Sequence, residues 1–473
     1  MERPPLDLQP ATTLENVYKT LSPEPLKTQG ELDAYYRDQF NKLRGEDKVA
    51  LIKLGLYRSF KANPFKALLT GHPGVGKSTE LTRLILQTTD KFHAIRFSVT
   101  NDLDPNNFQP FDVLFFMMTE IAERTAKPIE QGGTGKPPSD TILKEIRDWF
   151  ASEQSIRTET KCFELDIEAG AGLEGPSLWA KMLGLFATLK GQTKYAADRK
   201  KEIVEYRLQR ISTLIELANN LIDECNQRLS EVAAKEFLFI GDNFEKPGIP
   251  LDQIESFFVT YANIHNELRA HMLFTIPINL VYSELKSRLS YSSDRIHCIP
   301  DTPVYKQDHT IHKEGRAALQ AALEARVSPS LFSKGQMNRL IVASGGNLRD
   351  LFSLVSRASD YAILKKSNII QSKDVTRVIN ELRTDYERSL GESPYDKEKV
   401  TYKEKADLMI QIYNGIPDKK IPDAVLHSLL RARVVQEFNG ERWFGIHPLV
   451  VDILKEQKKI TSDKKGKAPG GTY

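Results

Sequence analysis

Between the apolar run at residues 65–70 and a helical stretch over 78–87, the chain reads Gly71-His72-Pro73-Gly74-Val75-Gly76-Lys77-Ser78, with Thr79 directly after. The spacing is Gly-x4-Gly-Lys-Ser/Thr without a mismatch. Glycines placed this way let the backbone wrap until its N–H groups converge on phosphate oxygens at the positive end of the next helix. Lys77 then reaches the β- and γ-phosphates, and the Ser78 hydroxyl ligates Mg²⁺. A second glycine cluster, Gly132-Gly133-Thr134-Gly135-Lys136, fails the spacing and runs into Pro137. It reads as a mobile loop within residues 127–140.

A phosphate loop needs a sheet behind it. Further buried-strand candidates lie at residues 94–99, 237–240, 272–276 and 296–299, separated by helical stretches. Such alternation implies an α/β fold with a parallel sheet. The strand at 237–240 ends in Gly241-Asp242-Asn243-Phe244-Glu245. An acid at a strand end supplies the Mg²⁺-side carboxylate through metal-bound water, so Asp242 takes that place. Glu245 is the next acid and the candidate general base.

The 473 residues suggest about three units. Lys and Arg number 66 against 63 Asp and Glu, a net charge of +3 that announces no nucleic-acid or membrane surface by itself. With 40% apolar residues and a mean hydropathy of −0.40, disordered and fibrous classes are excluded. Cys162, Cys225 and Cys298 form no metal or disulfide spacing, and neither a secretory signal nor a spanning apolar run is present. A reducing cytoplasm is expected. His309 and His312 lack a third ligand and make no metal site.

The pattern divides the chain into a leader and helix over 1–43, an α/β core over 44–305 with an insertion around 127–195, and an all-helical stretch over 306–392. A small unit over 402–454 and a basic, disordered tail over 455–473 follow. Helices are expected at 30–43, 46–60 and, as one long element, 197–229. Within the insertion, residues 163–168 alternate like a hairpin strand that offers contacts to a partner.

The loop at 71–78, the Asp242 to Glu245 strand end and the later helical segment together resemble an AAA+ or STAND-type P-loop ATPase, above all the replication-initiator-like members. The resemblance spans residues 44–390. It implies a P-loop parallel sheet with a helical lid, ATP and Mg²⁺ as cofactors, and self-association or a protein partner. Ser344-Gly345-Gly346-Asn347-Leu348-Arg349 resembles the sensor-2 motif, which gives Arg349 a contact with the nucleotide's phosphates. Arg288 occupies the region of an arginine finger, and Thr275 or Asn279 that of sensor 1, although Pro277 departs from the pattern. Asn243 stands where the family carries its catalytic acid, which implies slow hydrolysis and a switch rather than a motor.

In the last unit, residues 421–430 read as a helix, and 433–446 as two strands around Asn439-Gly440. A short helix over 448–454 completes a pattern similar to a winged helix. Its DNA-binding form places the 421–430 helix in a major groove with Arg431, Arg433 and Arg442 on phosphates, and the lysine-rich tail adds non-specific attraction. Its other form docks protein. The unit is expected to fold alone. By that resemblance alone, the expected function is an ATP-dependent regulatory switch in bacterial genome defence or mobile-element control; the alternative is a DNA-binding initiator or loader acting through the winged helix.

Overall fold

The computed structural model describes residues 7–154, 177–194, 201–246, 248–393, 396, 398–416, 423–438 and 443–460. The 163–168 hairpin, Cys162, Arg442, the Asn439-Gly440 turn and the tail beyond 460 lie outside them.

Five parallel strands make the central sheet: β1 (Lys66–Thr70), β2 (Phe92–Ser98), β3 (Glu236–Asp242), β4 (His271–Thr275) and β5 (Ile296–Cys298). Their spatial order is β2-β3-β4-β1-β5. All five answer to strands expected from the sequence. β3 is buried from Phe237 to Asp242, as a strand covered on both faces must be. One face carries the helices Pro110–Ala126 and Ile211–Ala233 around Phe97, Phe115, Leu221 and Phe274. The other carries Lys48–Arg58 and Lys77–Gln87 around Ile52, Leu69, Leu81 and Ile240. Parallel strands point all their carboxyl ends one way, so the loops after β1 and β3 meet at one crevice.

Two expected helices are broken. Residues 30–43 form Gln29–Tyr35 and Gln39–Leu43, parted at Tyr36, whose ψ of 146° is extended. The long element is Lys201–Gln209 followed by Ile211–Ala233, with the break at Arg210. The loop after Lys127 is held by backbone bonds, Thr134 N to Thr125 O and Gly135 N to Lys127 O, each 2.8 Å.

The lid consists of Lys313–Glu324, Gln336–Ala343, Leu348–Leu364 and Ser372–Ser389. The leader packs into it, burying Ala11, Leu14 and Val17 in the lid's core, and Ala11 bridges Val327 as a short parallel strand would. The last unit has helices Tyr402–Tyr413, Ala424–Arg431 and Pro448–Glu456 with an antiparallel pair, β6 (Val435–Phe438) and β7 (Trp443–Ile446). The expected helix, antiparallel strand pair and closing helix are present. Separability is not: Leu426, Leu429, Val434, Leu449 and Ile453 belong to one continuous core with Leu340, Leu351 and Val378 of the lid.

Candidate functional site

β1 ends at Thr70, and the chain turns through Gly71, Gly74 and Gly76 at φ of +142°, +95° and +104° before the helix at Lys77 begins. Two of these glycines are required by contact as well as by backbone angle. A Cβ on Gly71 would lie 2.2 Å from Ile299 O, and one on Gly74 2.3 Å from Asn347 Oδ1. The loop is therefore pressed between the end of β5 and the start of the lid helix Leu348–Leu364. Val75 is buried and Thr79 holds the leader, its Oγ1 accepting from Leu26 N at 3.3 Å.

Lys77 Nζ folds back into the loop, donating to Gly71 O at 2.9 Å and His72 O at 3.0 Å, and pairs with Glu245 Oε1 at 2.9 Å. Glu245 Oε2 is buried without a hydrogen-bond partner among the described residues. Phe244 fixes this turn: it is fully buried, stacks on Phe257 at 5.5 Å, and meets Phe97, Phe258 and Phe274 edge-on. Asn243 takes φ of +69°, a left-handed angle that asparagine tolerates better than most residues. With Phe244 driven into the core, Asp242 and Glu245 both face the loop.

Asp242 and Ser78, 164 positions apart in sequence, are brought together: Ser78 Oγ donates to Asp242 Oδ1 at 3.3 Å. A hydroxyl and a carboxylate are hard oxygen donors of the kind Mg²⁺ takes, so the residues fit the ion. Asp242 Oδ2 is held by Arg96 Nη2 at 2.5 Å, and Arg96 also reaches Ser78 O and Thr82. Arg96 belongs to no motif; its one signal is a cation inside the largely apolar β2.

Asn347 caps the lid helix by accepting from Asp350 N, and its Nδ2 donates to Pro73 O at 2.9 Å. Arg349 N donates to Gly74 O at 3.3 Å. The Arg349 side chain lines the same cavity as Lys77, Ser78 and Glu245. Burial, with Arg433 nearby, pulls its guanidinium below the usual arginine range. Arg44 joins leader to loop through Val75 O at 2.7 Å and Glu80 at 2.8 Å. Arg326 closes the far side of the cavity, lying over the Tyr35 and Phe352 rings; burial lowers it to about 9.

Of the two sensor-1 candidates, Thr275 spends its hydroxyl on Phe244 N, whereas Asn279 lines a second cavity with Glu245. Arg288 is exposed with no ion pair among the described residues. His309 stacks on Tyr413, His312 caps Gly315, and no metal-holding cluster occurs among the described residues. The proposed groove-binding helix, Ala424–Arg431, is packed inward: Leu426, Ser428, Leu429 and Leu430 are buried, and His427 bonds Tyr282 O at 2.7 Å. Arg433, expected on phosphates, pairs with Asp350 at 3.1 Å.

A glycine-wrapped loop after β1, its lysine and serine, and an acid at the end of β3 beside that serine define one arrangement. The fold is the P-loop NTPase fold. No protein-family model and no curated protein matches the chain. Among solved structures it is similar to the Aeropyrum pernix ORC1 protein in complex with DNA, with 12% identity, 89% of this chain and 93% of that one covered, and a TM-score of 0.35. Cdc6p from Pyrobaculum aerophilum gives 12%, 87%, 93% and 0.35 in the same order. The Thermotoga maritima RuvB Holliday junction branch migration motor gives 11%, 92%, 99% and 0.34. Among the described residues no helix is long and apolar enough to cross a membrane.

Proposed function

We propose that the chain is an ATP- and Mg²⁺-binding ATPase of the AAA+ kind whose nucleotide state sets its association with a partner. The observation that carries this reading is the convergence of Lys77, Ser78 and Asp242 on one loop. Gly71 to Thr79 and Arg349 hold the phosphates, Ser78 and Asp242 hold the ion, which supplies charge neutralisation when bound, and Glu245 orients water as a base. The cavity between loop, leader and lid encloses about 110 Å³. Small-molecule sites usually offer roughly 300–1,000 Å³. Nucleotide entry on this reading displaces the lid or the leader, which suits a switch with slow turnover. Self-association, with Arg288 reaching a neighbour's nucleotide, belongs to the same reading.

The DNA-binding initiator or loader is the second reading, supported by the ORC1 protein's being in complex with DNA. In this chain it calls for a DNA surface other than the Ala424–Arg431 helix. Calorimetry with ATP and Mg²⁺, followed by turnover with and without duplex DNA, tests both. Absence of ATP binding defeats the first, and turnover and ATP affinity indifferent to DNA, with no DNA binding at low salt, defeat the second.

A further inference from the structure

His72 occupies a variable position of the phosphate loop, and its backbone oxygen holds the Lys77 ammonium at 3.0 Å. Its side chain does something separate. Nδ1 lies 2.7 Å from Asp301 Oδ2, and Nε2 lies 3.2 Å from Leu430 O in the last turn of the Ala424–Arg431 helix. Both side chains of the His72–Asp301 pair are only 1% exposed. A carbonyl oxygen only accepts, so Nε2 carries a proton. Burial opposes the Asp301 charge, but His72, Arg433 and Asn347 around it together hold the carboxyl below the usual range.

Asp301 follows β5 and belongs to the same knot through its backbone, Asp301 N donating to Glu437 O in β6 at 3.1 Å. Asn347, at the start of the lid helix, bonds Pro73 O and stands 3.5 Å from Asp301 Oδ1. Arg433, at the turn after the helix, holds Asp350 in the first turn of the lid helix, and Gln436 of β6 donates to Gly345 O at 3.0 Å. The loop, the lid and the last unit thus meet at the buried His72–Asp301 pair. Water cannot replace these partners when the loop shifts, because the pair is sealed from it.

We propose that His72 is a positioning residue that couples the phosphate loop to the C-terminal unit, so that the nucleotide state of the loop sets the docking of residues 424–438 and that docking in turn sets nucleotide affinity. The inference rests on the reading of residues 71–79 as a nucleotide site. The coupling is reciprocal by linkage. It gives the last unit a role at the site that needs no contact of its own with nucleotide.

Amide hydrogen exchange on the full chain tests it, with Mg²⁺-ADP and a non-hydrolysable ATP analogue as probes, each raised to saturate the protein measured. In the parent, exchange over 424–438 is expected to differ by roughly fivefold or more between free and bound forms, the lower end of ordinary coupling. In Asp301→Asn, which keeps the shape but loses the carboxylate facing His72, the difference is expected to fall within about twofold while nucleotide still binds, and His72→Gln, measured at whatever nucleotide concentration saturates it, is expected to lose the difference in the same way. A purely structural role would change exchange in free and bound forms alike and leave their ratio as in the parent; that result overturns the proposal. So does a parent that binds nucleotide with no change over 424–438. A parent that binds no nucleotide overturns the reading beneath it, and the proposal with it.

Discussion

Glu245 Oε1 lies 2.9 Å from Lys77 Nζ, inside the loop, with both side chains under a tenth exposed. The ammonium that should meet β- and γ-phosphates is thus already paired, and binding exchanges one anion for another. Lys77→Ala is expected to abolish tight ATP binding, since it removes the charge the loop aims at phosphate. Glu245→Gln should do the opposite for affinity, tightening ATP by about tenfold, the worth of a charge-assisted bond, while turnover falls because the base is gone. Calorimetry and a phosphate-release assay read the two effects. Unchanged affinity would show that the pair does not compete with nucleotide, and normal turnover would place the base elsewhere.

Arg96 is set against the ion that Asp242 is expected to hold. Asp242→Asn should lose Mg²⁺-dependent hydrolysis while retaining part of nucleotide binding. Arg96→Ala frees Asp242 Oδ2 and should lower the Mg²⁺ concentration for half-maximal turnover by roughly tenfold, the scale of one charge-assisted hydrogen bond. A Mg²⁺ titration on both variants checks this, and an unshifted midpoint in Arg96→Ala would mean that the arginine moves aside without cost.

The phosphate loop, all five strands and the pairing of Ser78 with Asp242 were legible because each is written locally: a glycine spacing, an apolar run, an acid at a strand end. The Arg96 contact was not, since it depends on β2 lying beside β3 in register, Arg96 opposite Ile240 and Ser98 opposite Asp242. Nor was the break at Tyr36, where the hydroxyl bonds Glu80 and Asn41 and so draws the chain out of its helix toward the Lys77–Gln87 helix. The winged pattern of the last unit was readable from its own periodicity, but its attachment was not. Nothing in residues 424–438 announces that Leu430 O meets His72, 358 positions earlier.

Phe244 gives a stability test of the strand end. Its ring is 0% exposed among five other aromatic side chains and separates Asn243 from Glu245. Phe244→Ala is expected to cost about 3–5 kcal/mol, the usual range for such a cavity. Because the same ring aims the turn, ATP affinity should fall as well. Urea unfolding and calorimetry on one preparation check both; a large stability loss with parent-like affinity would mean the turn is fixed by Asp242 and Asn243 alone.

The shared core of lid and last unit predicts that a fragment spanning 402–454 does not fold by itself. Cut away from Leu351 and Val378, the apolar faces of Leu426, Val434 and Ile453 stay in water, and about 50 residues have little other surface to bury. Circular dichroism with thermal melting reads the outcome. A cooperative transition in the fragment would show that helix and wing suffice for a core.

Acid should weaken the fold before the carboxylates titrate. His265 is buried neutral, its Nε2 donating to Phe257 O at 3.2 Å and its Nδ1 accepting from the Tyr291 hydroxyl at 3.1 Å, and burial lowers it to about 3. His447, stacked on Tyr386 at 4.1 Å, is lowered by burial and by Arg433 to about 3 as well. Unfolded, each takes up its proton as pH falls through about 6.5; folded, each waits until near 3. Between those values the unfolded chain binds more protons, so stability is full above about 6.5 and drops as pH falls, by up to ~1.4 kcal/mol per pH unit for each histidine. His265→Phe keeps an aromatic ring in an aromatic site and removes one titration, so the slope of unfolding free energy between pH 6 and pH 4, measured by urea denaturation, should be smaller than the parent's by about one proton. An equal slope in the two proteins would mean that His265 is reached by water or protonated in the native state.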